Sequence, residues 1–217
     1  MRNGIAAALG AAALLATMLP GDAGAQTSIR GKRAGDIVLG LGLIGVLPQS
    51  GGSVDTIGGK PDASETVTPQ FDVTYFVTPH ISVNLIAATT KHDLDVRGSA
   101  LGDVNLGHVW LLPPTLTLQV HPLPQSRFSP YFGAGVNYTM AYSEGGGRTA
   151  GIDSVKVDNA WGWALNAGID YEVAPNWLIN VDVKKLFLRP DVTVNGTIGA
   201  KADLDPWIVG AAVRYRF

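Results

Sequence analysis

Residues 207–217 read WIVGAAVRYRF, and Trp207, Val209, Ala211, Val213, Tyr215 and Phe217 share one face of that run. Ile208, Gly210, Ala212, Arg214 and Arg216 share the other. Side chains that change face at every residue belong to a strand, because a strand repeats every second residue and a helix every 3.6. The same reading holds for residues 160–173. There Trp161, Trp163, Leu165, Ala167, Ile169, Tyr171 and Val173 oppose Gly162, Ala164, Asn166, Gly168, Asp170 and Glu172.

Working outward from these two runs, the alternation predicts eight strands, at 36–47, 67–77, 81–91, 108–121, 130–142, 160–173, 177–189 and 205–217. Most are near the ~9–11 residues that cross a bilayer at a tilt. The connections alternate in length. Thr78-Pro79-His80, Ala174-Pro175-Asn176 and 122–129 are short, whereas 48–66, 92–107, 143–159 and 190–204 are long and rich in glycine. Short turns at one end and long loops at the other are the pattern of a transmembrane β-barrel, with the short turns in the periplasm. The expected fold is all-β, an eight-stranded antiparallel transmembrane barrel in the cell outer membrane.

Composition removes several alternatives. A net charge of −2, from 16 basic and 18 acidic residues, gives no clustered positive surface for nucleic acid. The chain has no cysteine, which excludes disulfides, thiolate metal sites and cysteine nucleophiles. Beyond residue 25 no apolar run reaches the ~18 residues of a membrane-spanning helix. The first 25 residues form an address. Arg2 supplies a positive charge, 5–19 is uncharged, Pro20 and Gly21 break the run, and Ala23-Gly24-Ala25 is a cleavage site. Residues 1–25 are expected to be a signal peptide and 26–217 the barrel domain, starting at Gln26.

The rival all-β architecture is a soluble lipocalin-like barrel, which hides its apolar face inside. Against it stand aromatics at strand ends on the apolar face: Tyr75, Tyr131, Tyr142, Trp161, Tyr171, Trp177, Trp207 and Phe217. Aromatic girdles at both interfaces fit lipid. Tyr215 and Phe217 also resemble the C-terminal aromatic signal by which outer-membrane proteins are recognised for insertion. The barrel-assembly machinery and membrane lipid are therefore expected partners.

Several segments resemble the outer membrane protein W (OmpW) family. They are Ala87-Ala88-Thr89 followed by Lys91-His92-Asp93, Leu112-Pro113-Pro114-Thr115-Leu116, and Pro130-Tyr131-Phe132-Gly133-Ala134-Gly135-Val136-Asn137-Tyr138-Thr139. Leu204-Asp205-Pro206-Trp207 and the closing Tyr215-Arg216-Phe217 complete the set, in the family's order. The resemblance implies an eight-stranded barrel with a narrow, largely hydrophobic interior. It also implies passage of small hydrophobic molecules, without catalysis. The loops at 48–66 and 143–159 look less like the family.

Alternation combined with strand direction assigns the lumen. Ile44, Val46, Ile86, Ala88, Val109, Leu111, Leu186, Leu188 and Ile208 face inward near the outer end. Ser82, Asn84, Gln119, His121, Asp170, Glu172, Asn180, Asp182, Arg214 and Arg216 face inward near the periplasmic end, with Asp72 and Lys184 nearer the middle. An eight-stranded barrel is nearly filled by its own side chains, and unpaired buried charge is costly. Asp170, Glu172 and Asp182 are therefore expected to pair with Lys184, Arg214 and Arg216 as a periplasmic plug. Ile86, Leu111, Leu186 and Ile208 are expected to form an apolar funnel that binds a small hydrophobic ligand. Pro113-Pro114 interrupts the fourth strand and should open or bulge the wall, which suggests a sideways route from funnel to bilayer.

The remaining signals carry less. The histidines at 80, 92, 108 and 121 show no metal-ligand spacing, so no metal or other cofactor is expected. His121 with an Asp or Glu neighbour as an acid–base pair, and Ser82 as a nucleophile near it, is the arrangement a lipid-modifying enzyme would need, and no local motif supports it. Gly40-x-Gly42 and Gly133-x-Gly135 lie inside strands, without the strand-to-helix turn that phosphate binding needs. The expected function is an outer-membrane channel or carrier for small hydrophobic molecules. The alternatives are a surface receptor or envelope-stabilising barrel and, behind it, an outer-membrane enzyme acting on lipid.

Overall fold

The computed structural model describes residues 29–49, 52–54, 58–100, 102–145, 155–194, 198–202 and 204–217. The expected signal peptide lies outside these residues. Among these residues fifteen strands run in chain order: β1 (Ile37–Leu47), β2 (Gly52–Val54), β3 (Lys60–Ala63), β4 (Thr66–Thr78), β5 (Ile81–Ala88), β6 (Thr90–Ser99), β7 (Gly102–Leu112), β8 (Thr115–Val120), β9 (Phe128–Gly145), β10 (Val155–Val157), β11 (Ala160–Ala174), β12 (Trp177–Phe187), β13 (Asp191–Val194), β14 (Ile198–Ala202) and β15 (Trp207–Arg216).

Eight of them close a ring of antiparallel neighbours: β1–β4–β5–β8–β9–β11–β12–β15 and back to β1. Closure leaves no strand edge exposed to lipid, where unpaired backbone groups are prohibitive. The seam between first and last strands runs from Val38↔Arg216 to Leu47↔Trp207, and the Phe217 N–H extends it to the Ile37 carbonyl.

The two faces separate as lipid requires. Leu41, Phe71, Leu118, Phe132, Leu165 and Val181 point outward and are exposed, while Asp72, Asn84, Gln119, Asp170, Arg214 and Arg216 point inward and are buried. A soluble barrel would reverse this, so the lipocalin-like alternative fails. Trp161, Trp163 and Trp207 ring the outer end, and Tyr75, Tyr171, Trp177 and Phe217 ring the periplasmic end.

The structure bears out one expectation and corrects two. As expected, Pro113-Pro114 interrupt the strand at 108–121, which divides into β7 and β8. Neither proline has an N–H for the ladder. The loop expected at 92–107 is a β6–β7 hairpin, because Val96, Val104, Leu106 and Val109 bury against Val157 and Val192 from other loops. The outward side chains of that hairpin include Lys91, Asp93 and Arg97, so it stands beyond the apolar band. Finally, Tyr131 is not a girdle residue. It is 2% exposed and faces the lumen, in phase with Gly133, Gly135, Asn137 and Thr139 on β9.

Candidate functional site

The lumen has two layers, each built from several strands. The lower one is the floor. Arg214 on β15 lies 3.1 Å from Asp72 on β4 and 3.0 Å from Asp170 on β11. Arg216 lies 3.0 Å from Glu172, and Lys184 pairs with Asp182. Gly40 makes the first contact sterically possible: a β-carbon there would collide with the Asp72 carboxylate and crowd the Arg214 side chain. Tyr131 donates to Asp182 at 2.8 Å and accepts from Asn180 at 3.0 Å. Gly168 gives that ring its room, since a β-carbon at 168 would meet it.

Sequence reasoning missed the part of the floor contributed by residues before β1. The Lys32 ammonium enters the lumen from below, 2.7 Å from Asp170, 2.8 Å from His121 Nδ1 and 2.9 Å from Ser129 Oγ. Arg30 pairs with Asp36 at 2.8 Å, and its backbone N–H donates to Glu172 at 2.6 Å. The segment is tied down at Lys32, whose N–H donates to Pro124 and whose carbonyl accepts from Gln125. The result is a compensated set. Asp36, Asp72, Asp170, Glu172 and Asp182 face Arg30, Lys32, Lys184, Arg214 and Arg216.

The Ser82–His121 pair is present, with Ser82 Oγ 2.9 Å from His121 Nε2. Its chemistry is wrong for a base. The Lys32 ammonium can only donate, so His121 accepts at Nδ1 and carries its proton on Nε2, facing the serine. A general base needs the opposite tautomer, held by a carboxylate. His121 sits just past the end of β8. Burial, with the Lys32 charge second, pushes its imidazole from 6.5 down to about 3 and keeps it neutral. No His/Asp/Glu cluster suited to a metal occurs among the described residues.

The upper layer is an apolar funnel, with about 720 Å³ of empty space in and around its mouth, part of it open solvent. Leu111, Leu186 and Ile208 line it; Ile86 does not. Ile86 is buried and faces inward, but it lies lower, opposite Asp72 and Thr115 in the sheet. The break after Ala88 places it below the funnel, so counting positions along the strand misjudged its depth. The lining that periodicity could not assign comes from the segments between the wall strands: Pro48, Val157 of β10, Pro190, Val192 of β13, Leu204 and Pro206. Polar side chains on the wall are few: Thr90, His92 and Thr139.

Comparison with known proteins follows from this architecture. Residues 33–217 match the model of the OmpW family. The chain belongs to the OmpW family. Two relatives place it within the family's sequence range. Outer membrane protein W of Escherichia coli (strain K12) is 33% identical over 219 residues, 95% of this chain and 97% of that one. An uncharacterized outer-membrane protein, y4mB of Sinorhizobium fredii, is 42% identical over 179 residues, 80% of this chain and 76% of that one. Among solved structures, the outer membrane protein OprG from Pseudomonas aeruginosa superposes with a TM-score of 0.79. It is 28% identical, with 87% of this chain and 99% of that one covered. The protein is thus an OmpW-family barrel of the outer membrane.

Proposed function

We propose that this barrel carries small hydrophobic molecules across the outer leaflet boundary and releases them into the bilayer. The observation that supports this most is the stacking of an apolar funnel on a floor of buried ion pairs. Cargo that enters the funnel meets charge below it, and an apolar molecule gains nothing by displacing paired ions. The easier way out is sideways.

Two neighbouring strands lose their ladder at one level. The β5–β8 pairing ends at Ile86↔Thr115, and pairing resumes between β6 and β7 at Thr90↔Leu111. Pro113, in the gap, lines the funnel. The carbonyls of Pro113 and Pro114 accept from Asn137 Nδ2, each at 3.1 Å, and that of Pro114 also accepts from the Tyr138 N–H of β9 at 3.1 Å. The prolines are thus tied to β9, and the gap in the ladder lies on their other side, toward the β5–β6 junction, where lateral release would pass. Removal of residues 1–25 and recognition of Tyr215 and Phe217 by the assembly machinery belong to the same proposal.

The test is uptake of an apolar fluorescent compound by cells with and without the barrel, paired with conductance in planar bilayers. Faster uptake without a steady ion conductance supports the carrier. Unchanged uptake in cells that assemble the barrel overturns it in favour of a receptor or envelope role.

A further inference from the structure

The polar side chains on the funnel wall have an unequal hydrogen-bonding state. His92 lies 2.7 Å, through Nδ1, from the backbone carbonyl of Ser64. A carbonyl only accepts, so Nδ1 carries the proton, and neutral His92 presents Nε2 as a bare acceptor. Burial lowers the pKa of this imidazole, which favours that neutral form. Thr90 donates its hydroxyl proton to the Leu111 carbonyl at 3.4 Å.

Thr139 donates to Asn137 Oδ1 at 2.7 Å. That assignment is fixed, because Asn137 Nδ2 already donates to the two proline carbonyls and to Thr115 Oγ1. All three polar groups have therefore spent their protons on the protein. None of the other described residues on the wall has a side-chain N–H or O–H, and four of them are prolines, without a backbone N–H.

We infer that the funnel selects apolar molecules bearing a hydrogen-bond donor, an alcohol or a phenol, whose hydroxyl donates to Nε2 of His92. The inference rests on the carrier reading and names its cargo class. An ether or ester of equal size brings only lone pairs to a wall of lone pairs. A carboxylate brings negative charge and finds no donor. An alcohol leaves neither itself nor His92 unsatisfied, and unmade hydrogen bonds in apolar surroundings are the costly ones.

The experiment uses the barrel in lipid nanodiscs, with ¹⁵N-labelled histidine and ¹³C-methyl-labelled leucine. It is titrated with 1-octanol, 1-methoxyoctane and octanoate, with empty nanodiscs as the partition control. Shifts at the Leu111 and Leu186 methyls report occupancy of the funnel, and the His92 Nε2 signal reports the hydrogen bond. The inference predicts that octanol and the ether both move the methyls. Octanol alone should move Nε2 and should bind about fivefold tighter, corresponding to about 1 kcal/mol. In His92→Leu the preference should vanish.

Equal binding of octanol and ether to the wild type, with both moving the methyls, overturns the inference and leaves the carrier reading intact. Tighter binding of octanoate also overturns it, because it would mean a cationic His92. If neither octanol nor the ether moves the methyls, the carrier reading fails and this inference fails with it. The wild-type comparison needs no variant, so it stands even where His92→Leu does not fold.

Discussion

Lys32, five residues ahead of the first barrel strand, places its ammonium 2.7 Å from the Asp170 carboxylate inside the barrel. Both side chains are almost fully buried. A segment ahead of the first strand thereby becomes part of the lumen's interior, and the floor's charge balance depends on it.

Lys32→Met should therefore be destabilising. Removing one partner of a buried pair costs about 3–5 kcal/mol, and here Arg214 still compensates Asp170, so the lower end is expected. Lys32→Met combined with Asp170→Asn should recover part of the loss, because charge balance returns. Urea unfolding in lipid vesicles measures both. A double variant less stable than either single one would contradict a coupled pair.

Acid should loosen the floor before carboxylates titrate. His121 has a folded pKa of about 3 against an ordinary 6.5. Between those values the unfolded chain binds the proton and the folded one does not, so stability falls as pH falls from 6.5 toward 3. The slope contributed is up to about 1.4 kcal/mol per pH unit. Burial lowers His92 in the same direction, so it adds to the slope. Unfolding midpoints at pH 7 and pH 5 should differ, and less so in His121→Gln. An unchanged slope in that variant would mean that His121 is not held neutral.

The two faces of β11 should fail differently. Leu165 is 52% exposed on the lipid side, and arginine there should cost about 2–4 kcal/mol, the range for the bilayer midplane. Arginine at Gly168 should prevent folding through collision with Tyr131. Heat-modifiable migration on gels distinguishes a weakened barrel from an absent one. Equal tolerance at both positions would show that the register is shifted by one residue.

Deleting Phe217 should impair assembly in cells more than stability in vitro. Its ring packs on Tyr215 with centroids 4.8 Å apart and is 61% exposed, so little burial is lost. Periplasmic accumulation in cells, with normal refolding of purified protein, is the expected pair of results. Normal assembly in cells would mean that the terminus is not an insertion signal.

The barrel was legible because the period of two survives through every wall strand, and parity alone places Asp170, Arg214 and Arg216 inside. Tyr131 shows where chemistry misled parity. Tyrosine suits a girdle, but its neighbours two apart are Gly133, Gly135 and Asn137, and its lipid-facing neighbours are Phe132, Ala134 and Val136. That contrast was available in the sequence. Ile86 shows a different limit, since parity gives the side of the wall and not the height once Thr89 and Pro113 break the ladder. Lys32 carried no signal, because no period governs the residues before β1 and its role depends on a long side chain reaching into a lumen that only the closed ring creates.

On the proposed function the funnel is a binding site and not simply a packed interior. Leu111 and Ile208 face each other's space from β7 and β15, away from lipid. Burying one such side chain against a ligand contributes about 1.5–3 kcal/mol at most. The most direct measurement is the affinity of a fluorescent alkyl probe for purified wild type and for Leu111→Asn combined with Ile208→Asn, folding being checked by heat-modifiable migration. The double variant is expected to fold and to bind at least about tenfold more weakly, the factor that 1.4 kcal/mol represents. A folded double variant that binds as tightly as wild type would contradict it.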